Sequence, residues 1–226
     1  INLAVDRIVS AKERGGKVIV VTGSGPNLHE GITTLVAELM RHGVVDGVTT
    51  SSAVISHEMG GTLDKVKRVD GRLLGIDPAL LPHGNAFELT MLDDQTMAEI
   101  RERISLNDTL IARLEELPGK VITKAAGNLG YPMGLYLEHV APEISNLARA
   151  RSISYETLAG YGADERTMIG TGSRRNLPVL VTIPQLVGGG AVESSIGDST
   201  TITERAKRIA GMLESADVII ESAVAL

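Results

Sequence analysis

The stretch from Lys17 to Glu58, KVIVVTGSGPNLHEGITTLVAELMRHGVVDGVTTSSAVISHE, constrains the fold more than any other part of the chain. Val18 to Val21 is β-branched throughout, which suits a strand buried on both faces. It runs into Thr22-Gly23-Ser24-Gly25-Pro26-Asn27, a turn-forming sequence. Ile32, Leu35, Val36 and Leu39 then recur at helical spacing within Glu30 to Arg41, and Gly43 stands where a helix C-cap is expected. Val44 to Thr50 reads as a second strand, ending at the hydroxyl-rich Thr49-Thr50-Ser51-Ser52. A strand–loop–helix–strand unit of this kind predicts parallel strands joined by a right-handed crossover. Ligands of open α/β sheets bind in the loops at the strands' carboxyl ends.

Composition narrows the possibilities. The 226 residues suit one large α/β domain or two small ones. Hydrophobic residues make up 43% but aromatics only 2%, so the core must be built from Ala, Val, Ile, Leu and Met. The absence of Cys excludes disulfides, Cys-ligated zinc and thiol catalysis. A net charge of -6 argues against nucleic acid or an anionic membrane as the main partner. The longest uncharged run, Asn176 to Val192, holds two prolines and three successive glycines and does not read as a membrane span. No signal peptide is evident, and a cytoplasmic location is expected. The chain begins at Ile1 and stops at Leu226 just after a strand-like run, so the expectation is a domain over 1–226 that is incomplete at one or both ends.

The remaining segments alternate between strand and helix patterns. Residues 1 to 14 read as a packing helix stopped by Gly15-Gly16, and Ala53 to His57 begins a helix broken near Met59 to Thr62. Asp64 to Arg72 reads as a charged, exposed segment, and Leu73 to Gly84 as an irregular loop with two prolines. Ala86 to Leu117 is helical in composition with a break at Asn107-Asp108, while Val121 to Thr123 fits a short strand or a helix flank. Met133 to Ala141 predicts a short helix, residues 142 to 163 give no clear pattern, and Asp164 to Ser173 predicts a helix. Asn176 to Thr182 is the clearest strand of the second half, and Pro184 to Asp198 reads as a second glycine-rich loop. An amphipathic helix follows over Thr201 to Ser215, and Val218 to Ile220 opens the last strand. The fold class expected is α/β, a Rossmann-like, mostly parallel sheet with helices on both faces.

Gly23-Ser24-Gly25 looks like the start of a dinucleotide-binding fingerprint, but Leu28 stands at the third glycine position. Thr49 and Thr50 replace the usual acidic residue at the second strand's end, and the loop has no Lys for a Walker A motif. What survives is a polar loop opening a helix N-terminus, suited to an anion or serving only as a tight turn. His57-Glu58 is a candidate acid–base pair or a surface pair, and lacks the second His of a zinc-hydrolase motif, so no metal site is read. Asp198 can accept bonds from a ribose or an amine, or cap the following helix.

Several stretches together resemble deoxyhypusine synthase and its relatives, which include homospermidine synthase. They are Gly23-Ser24 to Asn27, Gly31, Val45-Asp46-Gly47-Val48-Thr49-Thr50, Gly84-Asn85, Leu177-Pro178-Val179, Ser195-Ile196-Gly197-Asp198 and Asp217 to Val224, in the family's order and spacing from about Lys17 onward. The resemblance implies a Rossmann-like fold binding NAD at the strand ends, in a homo-oligomer (dimer or tetramer) with interfacial active sites. It assigns cofactor contacts to Gly23, Ser24, Asn27, Thr49, Thr50, Ser51 and Asp198. It places the catalytic acidic position near His57 and Glu58. The family's two glycines after its T-T-A turn are replaced here by Ser52 and Ala53. Its lysine-bearing E-A-V-S-W-G-K motif is not in this chain, which has no Trp. The implied activity is NAD-dependent chemistry at a C–N bond of a polyamine or basic amino acid, as a transferase or lyase. An ornithine cyclodeaminase-like ammonia lyase and a non-catalytic nucleotide-binding or regulatory module are the alternatives.

Overall fold

The computed structural model describes residues 1–226 apart from 24–30, 61–62, 82–84, 126–130, 183–189 and 223–226; for residues 131–137 only the backbone is described. Within the stretch read as one domain it separates two compact units, Ile1–Leu63 with Lys124–Leu226, and Asp64–Thr123.

The larger unit is built on a four-stranded parallel sheet. Its strands are β1 (Val18–Thr22), β2 (Gly47–Thr50), β6 (Val179–Val181) and β7 (Val218–Ser222), in the order β6-β2-β1-β7. The register sets Val20 beside Val48 and Ile220, and Val48 beside Val179, so these side chains share one face. That face carries the main core. There Val18, Val20, Val48, Val179 and Val181 meet Val36 and Met40 of α2 (Ile32–Arg41) and Val54 and Ile55 of α3 (Ser52–Gly60). Tyr155 of α7 (Tyr155–Gly162), Met168 and Ile169 of α8 (Met168–Arg175) and Val192 and Ile196 of α9 (Gly190–Ser199) complete it. On the opposite face Ile19 and Leu180 pack against Met212 of α10 (Ile202–Glu214). Gly47 lies there too, where an added Cβ would come within 3.1–3.3 Å of Ile19, Pro178 and Met212. Helices therefore cover both faces of a parallel sheet, the α/β class expected. At the strands' amino ends Asp46 accepts from the Val18 amide (2.8 Å) and from Lys12 of α1 (Asn2–Glu13) at 2.8 and 2.9 Å.

Two readings of this unit change. The helix expected over Met133 to Ala141 is longer: α6 spans Tyr131–Ala150 and runs through Pro142. The glycine-rich loop expected to reach Asp198 gives way at Gly190, where α9 begins with a φ of +71°. The positive φ favours glycine at position 190, which also lies against the exposed Glu138 carboxylate.

The smaller unit has a three-stranded sheet ordered β4-β3-β5, from β3 (Leu63–Asp70), β4 (Ala86–Thr90) and β5 (Gly119–Ala125). Strands β3 and β4 are antiparallel, with Arg68 opposite Glu88 and Val69 opposite Phe87. Two 3-10 turns, Gly71–Leu74 and Pro78–Leu80, lie between them, each capped by the aspartate before it. Helices α4 (Asp94–Arg103) and α5 (Asp108–Glu116) follow, capped by Asp93 and Asn107. The core is Val69, Leu74 and Leu114 with Ile76, Phe87, Leu89, Leu110 and Leu117 around it. The charged segment over Asp64 to Arg72 is thus mainly a strand, and the start of the helical-looking Ala86 to Leu117 is another. Phe87 and Leu89 supply the period-2 face, and Arg68 and Glu88 pair across the strands at 2.7 Å. Among the described residues no helix is long and apolar enough to cross a membrane.

Candidate functional site

Three of the four parallel strands finish on hydroxyl side chains at one edge of the sheet, and a hydroxyl residue directly follows the fourth. β1 ends at Thr22, β2 at Thr49-Thr50 followed by Ser51, and β7 at Ser222, while Thr182 follows β6. The two ends at Thr22 and Ser222 are directly paired. Thr182 is tied to β2, its amide and its hydroxyl both donating to the Thr50 carbonyl at 2.8 and 3.0 Å. Thr49 and Thr50 are each 1% exposed. Successive strand residues face opposite ways, so Thr49 points to the α10 side and Thr50 to the side of the main core. The Oγ atoms of Thr49, Thr50 and Ser51 are all buried and make no hydrogen bond among the described residues. Three buried hydroxyls without partners at one strand end are unusual, because buried polar groups are nearly always satisfied.

Of the residues assigned to the cofactor, Gly23 lies just past β1, where its amide donates to the Ser222 carbonyl at 3.3 Å. Ser24 and Asn27 lie outside the described residues. Thr49, Thr50 and Ser51 form the group at the end of β2. Asp198 is exposed, in the last turn of α9, roughly 12 Å of helical rise from Gly190. It does not cap α10; Thr201 does so, its hydroxyl accepting from the Glu204 amide at 3.1 Å.

Glu58 is 1% exposed on α3. Its Oε2 accepts the Ile169 amide at 2.8 Å, in the first turn of α8. Its Oε1 accepts the Thr33 hydroxyl, which in turn accepts the Met168 amide at 3.2 Å. The carboxyl therefore sits on a helix N-terminus and joins α2, α3 and α8. Burial outweighs these donors and raises its pKa from 4.5 to about 7. Each oxygen accepts one of these donors and keeps a further lone pair. His57, its neighbour, is half-buried.

A second acidic group went unread in the sequence. Glu193, in the first turn of α9 and 5% exposed, accepts from Ser56 Oγ of α3 at 2.6 Å. Burial raises its pKa, Ser56 opposes this, and the charge of Glu138 adds to it. Nearby, Glu156 Oε1 accepts the Val181 amide at the end of β6 at 3.2 Å. Arg205 completes that strand end, donating to the Val181 and Ile196 carbonyls at 3.4 and 2.7 Å. Tyr155, 1% exposed, carries a hydroxyl with no hydrogen bond among the described residues, and its pKa is raised by burial and by the charges of Glu193 and Glu156. The only sequence signal for Glu193 was an acid following a glycine run. Along the outer side of β6 a cavity of about 410 Å³ is lined by residues including Tyr155, Leu180, Ser199, Glu204 and Arg208. None of the predicted site residues among those described lines it.

No protein-family model matches the sequence, and no curated protein sequence matches it. Among solved structures, the apo form of an arginine dihydrolase from the ornithine–ammonia cycle in cyanobacteria is similar, with a TM-score of 0.50 at 13% identity. The similarity covers 99% of this chain and 23% of that one, so the chain spans about a quarter of the length of its structural neighbour. At that identity the likeness is one of fold, and it agrees with the helix-covered parallel sheet described above.

Proposed function

We propose that this chain binds NAD at the carboxyl edge of its parallel sheet and, as a member of the deoxyhypusine synthase-like group, acts on a C–N bond of a basic amino acid or polyamine. The observation that carries the reading is the set of buried, unpartnered hydroxyls of Thr49, Thr50 and Ser51. A hydroxyl both donates and accepts, which suits ribose hydroxyls and a carboxamide. A nucleotide there would supply the bonds that these atoms lack. Gly23, at the end of the adjacent strand, leaves the backbone open to close approach. When bound, NAD supplies a hydride acceptor. The chain's own share is to hold the nucleotide, position the amine and take up the proton. That the structural neighbour is an arginine dihydrolase favours the amino-acid branch over the polyamine branch.

The rival reading is a nucleotide-binding module without catalysis. Calorimetric titration with NAD tests the first claim. Micromolar binding that is weakened about tenfold by Thr49→Val supports it; no binding overturns it. Turnover of ornithine or spermidine with NAD then separates enzyme from module.

A further inference from the structure

We infer that the cavity along the outer side of β6 is a binding site for a free α-amino acid, separate from the strand ends where the nucleotide is proposed. β6 ends the sheet order, so one of its sides has no neighbouring strand. Pro178 accepts from the Val48 amide, and Thr182 donates to the Thr50 carbonyl, so the even-numbered residues of this segment turn their polar groups toward β2. Val179 and Val181 turn theirs outward. At Val181 the protein covers both groups itself: the amide donates to Glu156 at 3.2 Å, and the carbonyl accepts from Arg205 at 3.4 Å. At Val179 it covers neither. Val179 lines the cavity and is 6% exposed, and neither its amide nor its carbonyl bonds to a described residue. Backbone groups so enclosed are ordinarily paired, and here they face open space large enough for a small molecule, about 410 Å³.

α10 supplies the charges. Glu204 and Arg208 both line the cavity and stand four residues apart, about 6 Å along the helix axis. A glutamate four positions before an arginine is well placed to pair with it. Here no ion pair joins the two; Arg208 leans toward the buried Glu156, at 3.9 Å, too far for a hydrogen bond. None of the Arg208 donors bonds to a described residue. The cavity wall therefore carries a guanidinium, a carboxylate, and an open amide and carbonyl of an edge strand. An α-amino acid brings the complement of that set on a single carbon. Its carboxylate suits the planar fork of Arg208 and the Val179 amide, and its ammonium suits Glu204 and the Val179 carbonyl. A plain carboxylate or a phosphate would leave Glu204 facing a like charge, and a simple amine would leave Arg208 unmatched. The Ser199 hydroxyl, which also lines the cavity, donates to the Ile196 carbonyl at 2.7 Å and keeps its oxygen free to accept.

Calorimetric titration of the full chain tests this, with each common amino acid and L-ornithine, with the N-acetyl and carboxamide forms of any that bind, and with inorganic phosphate. At least one free amino acid is expected to bind saturably, and its N-acetyl and carboxamide forms about tenfold or more weakly. Arg208→Met should weaken binding about tenfold or more, and Glu204→Gln about threefold, with NAD affinity unchanged in both. The Ile153 methyl resonances, from a residue lining the cavity, should shift during the same titration. That shift and the exposed Glu204 position decide the matter should Arg208→Met fold poorly. The inference is overturned if no free amino acid binds, if phosphate binds in its place, if the blocked forms bind equally well, or if the Ile153 signals stay put. An amino acid that binds Arg208→Met and Glu204→Gln as tightly as the wild type sits elsewhere, and overturns it too. Loss of NAD binding alone would sink the cofactor reading and leave this one standing.

Discussion

Thr50 and Glu58 stand eight positions apart and are equally buried, yet the fold treats their polar atoms in opposite ways. Glu58 receives the Ile169 amide on one oxygen and the Thr33 hydroxyl on the other. It is a finished joint between three helices. The Thr50 hydroxyl, like those of Thr49 and Ser51, receives nothing. A satisfied buried group stabilises the fold, whereas an orphaned one costs stability until something arrives to pair with it. The first kind of group marks architecture, and the second is the kind that the nucleotide proposed above would pair. His57-Glu58 reads from the sequence as an acid–base pair or a surface pair, and Thr49-Thr50 as a departure from the usual acidic residue that the resemblance still assigns to the cofactor; in three dimensions it is the threonine hydroxyls that have no partner among the described residues.

The largest effect should come from breaking the finished joint. Glu58→Ala leaves the Ile169 amide and the Thr33 hydroxyl unpaired and opens a cavity, and is expected to cost about 3–4 kcal/mol. Chemical denaturation would measure this. A loss below about 1 kcal/mol would mean that the carboxyl is not the joint it looks like.

The same group sets a pH dependence nearly as large. Its pKa is raised, so between about 4.5 and about 7 the folded state holds a proton that the unfolded state has released. Stability is then greatest below 4.5 and falls as pH rises to about 7, by about 3 kcal/mol in all. Other groups titrate in this range as well, so the informative quantity is the difference from Glu58→Gln, which cannot ionise. The gap between variant and wild type should shift in the variant's favour across this window. A gap that stays constant with pH would show that the carboxyl is already ionised when buried.

At the unfinished edge the sign of the effect changes. Thr49→Val and Thr50→Val each remove a hydroxyl that bonds to nothing among the described residues, so stability should hold or rise by up to about 1 kcal/mol. NAD affinity should fall about tenfold in the same proteins. Stability and binding moving in opposite directions is the mark of a kept place; a matched loss of both would place these threonines with Glu58 among the structural groups.

How much of this was legible follows from the range of the interactions. β1, β2, β6 and β7 could be read because each is a short run rich in β-branched residues. α10 could be read because its apolar positions recur along one side. β3 was hidden because Lys65, Lys67 and Arg68 fill a strand with two buried valines, and the partner that explains Arg68, Glu88, lies across a turn. The start of α9 was hidden because Gly190 opens it from a glycine run, and α6 because Pro142 ordinarily ends a helix. The role of Glu58 was beyond any local reading: its decisive partner, Ile169, is 111 residues away. The Glu193–Ser56 bond, which spans 137 residues, was equally out of reach.

Asp198 offers the smallest effect and the sharpest division between resemblance and geometry. The resemblance places it on the cofactor through the match of Ser195-Ile196-Gly197-Asp198. In the fold it is an exposed carboxylate in the last turn of α9, where the negative end of the helix dipole disfavours it. Asp198→Ala should therefore leave stability within about 0.5 kcal/mol of the wild type, or slightly improve it. Glu193, five residues earlier in the first turn, is the acidic group of this helix that is buried near the strand ends. If geometry governs, Asp198→Ala binds NAD within about twofold of the wild type, below the energy of one ordinary hydrogen bond. A tenfold loss would instead place the nucleotide across the far end of α9. The hydroxyls of Thr49 and Thr50 would then need another explanation for being left without partners.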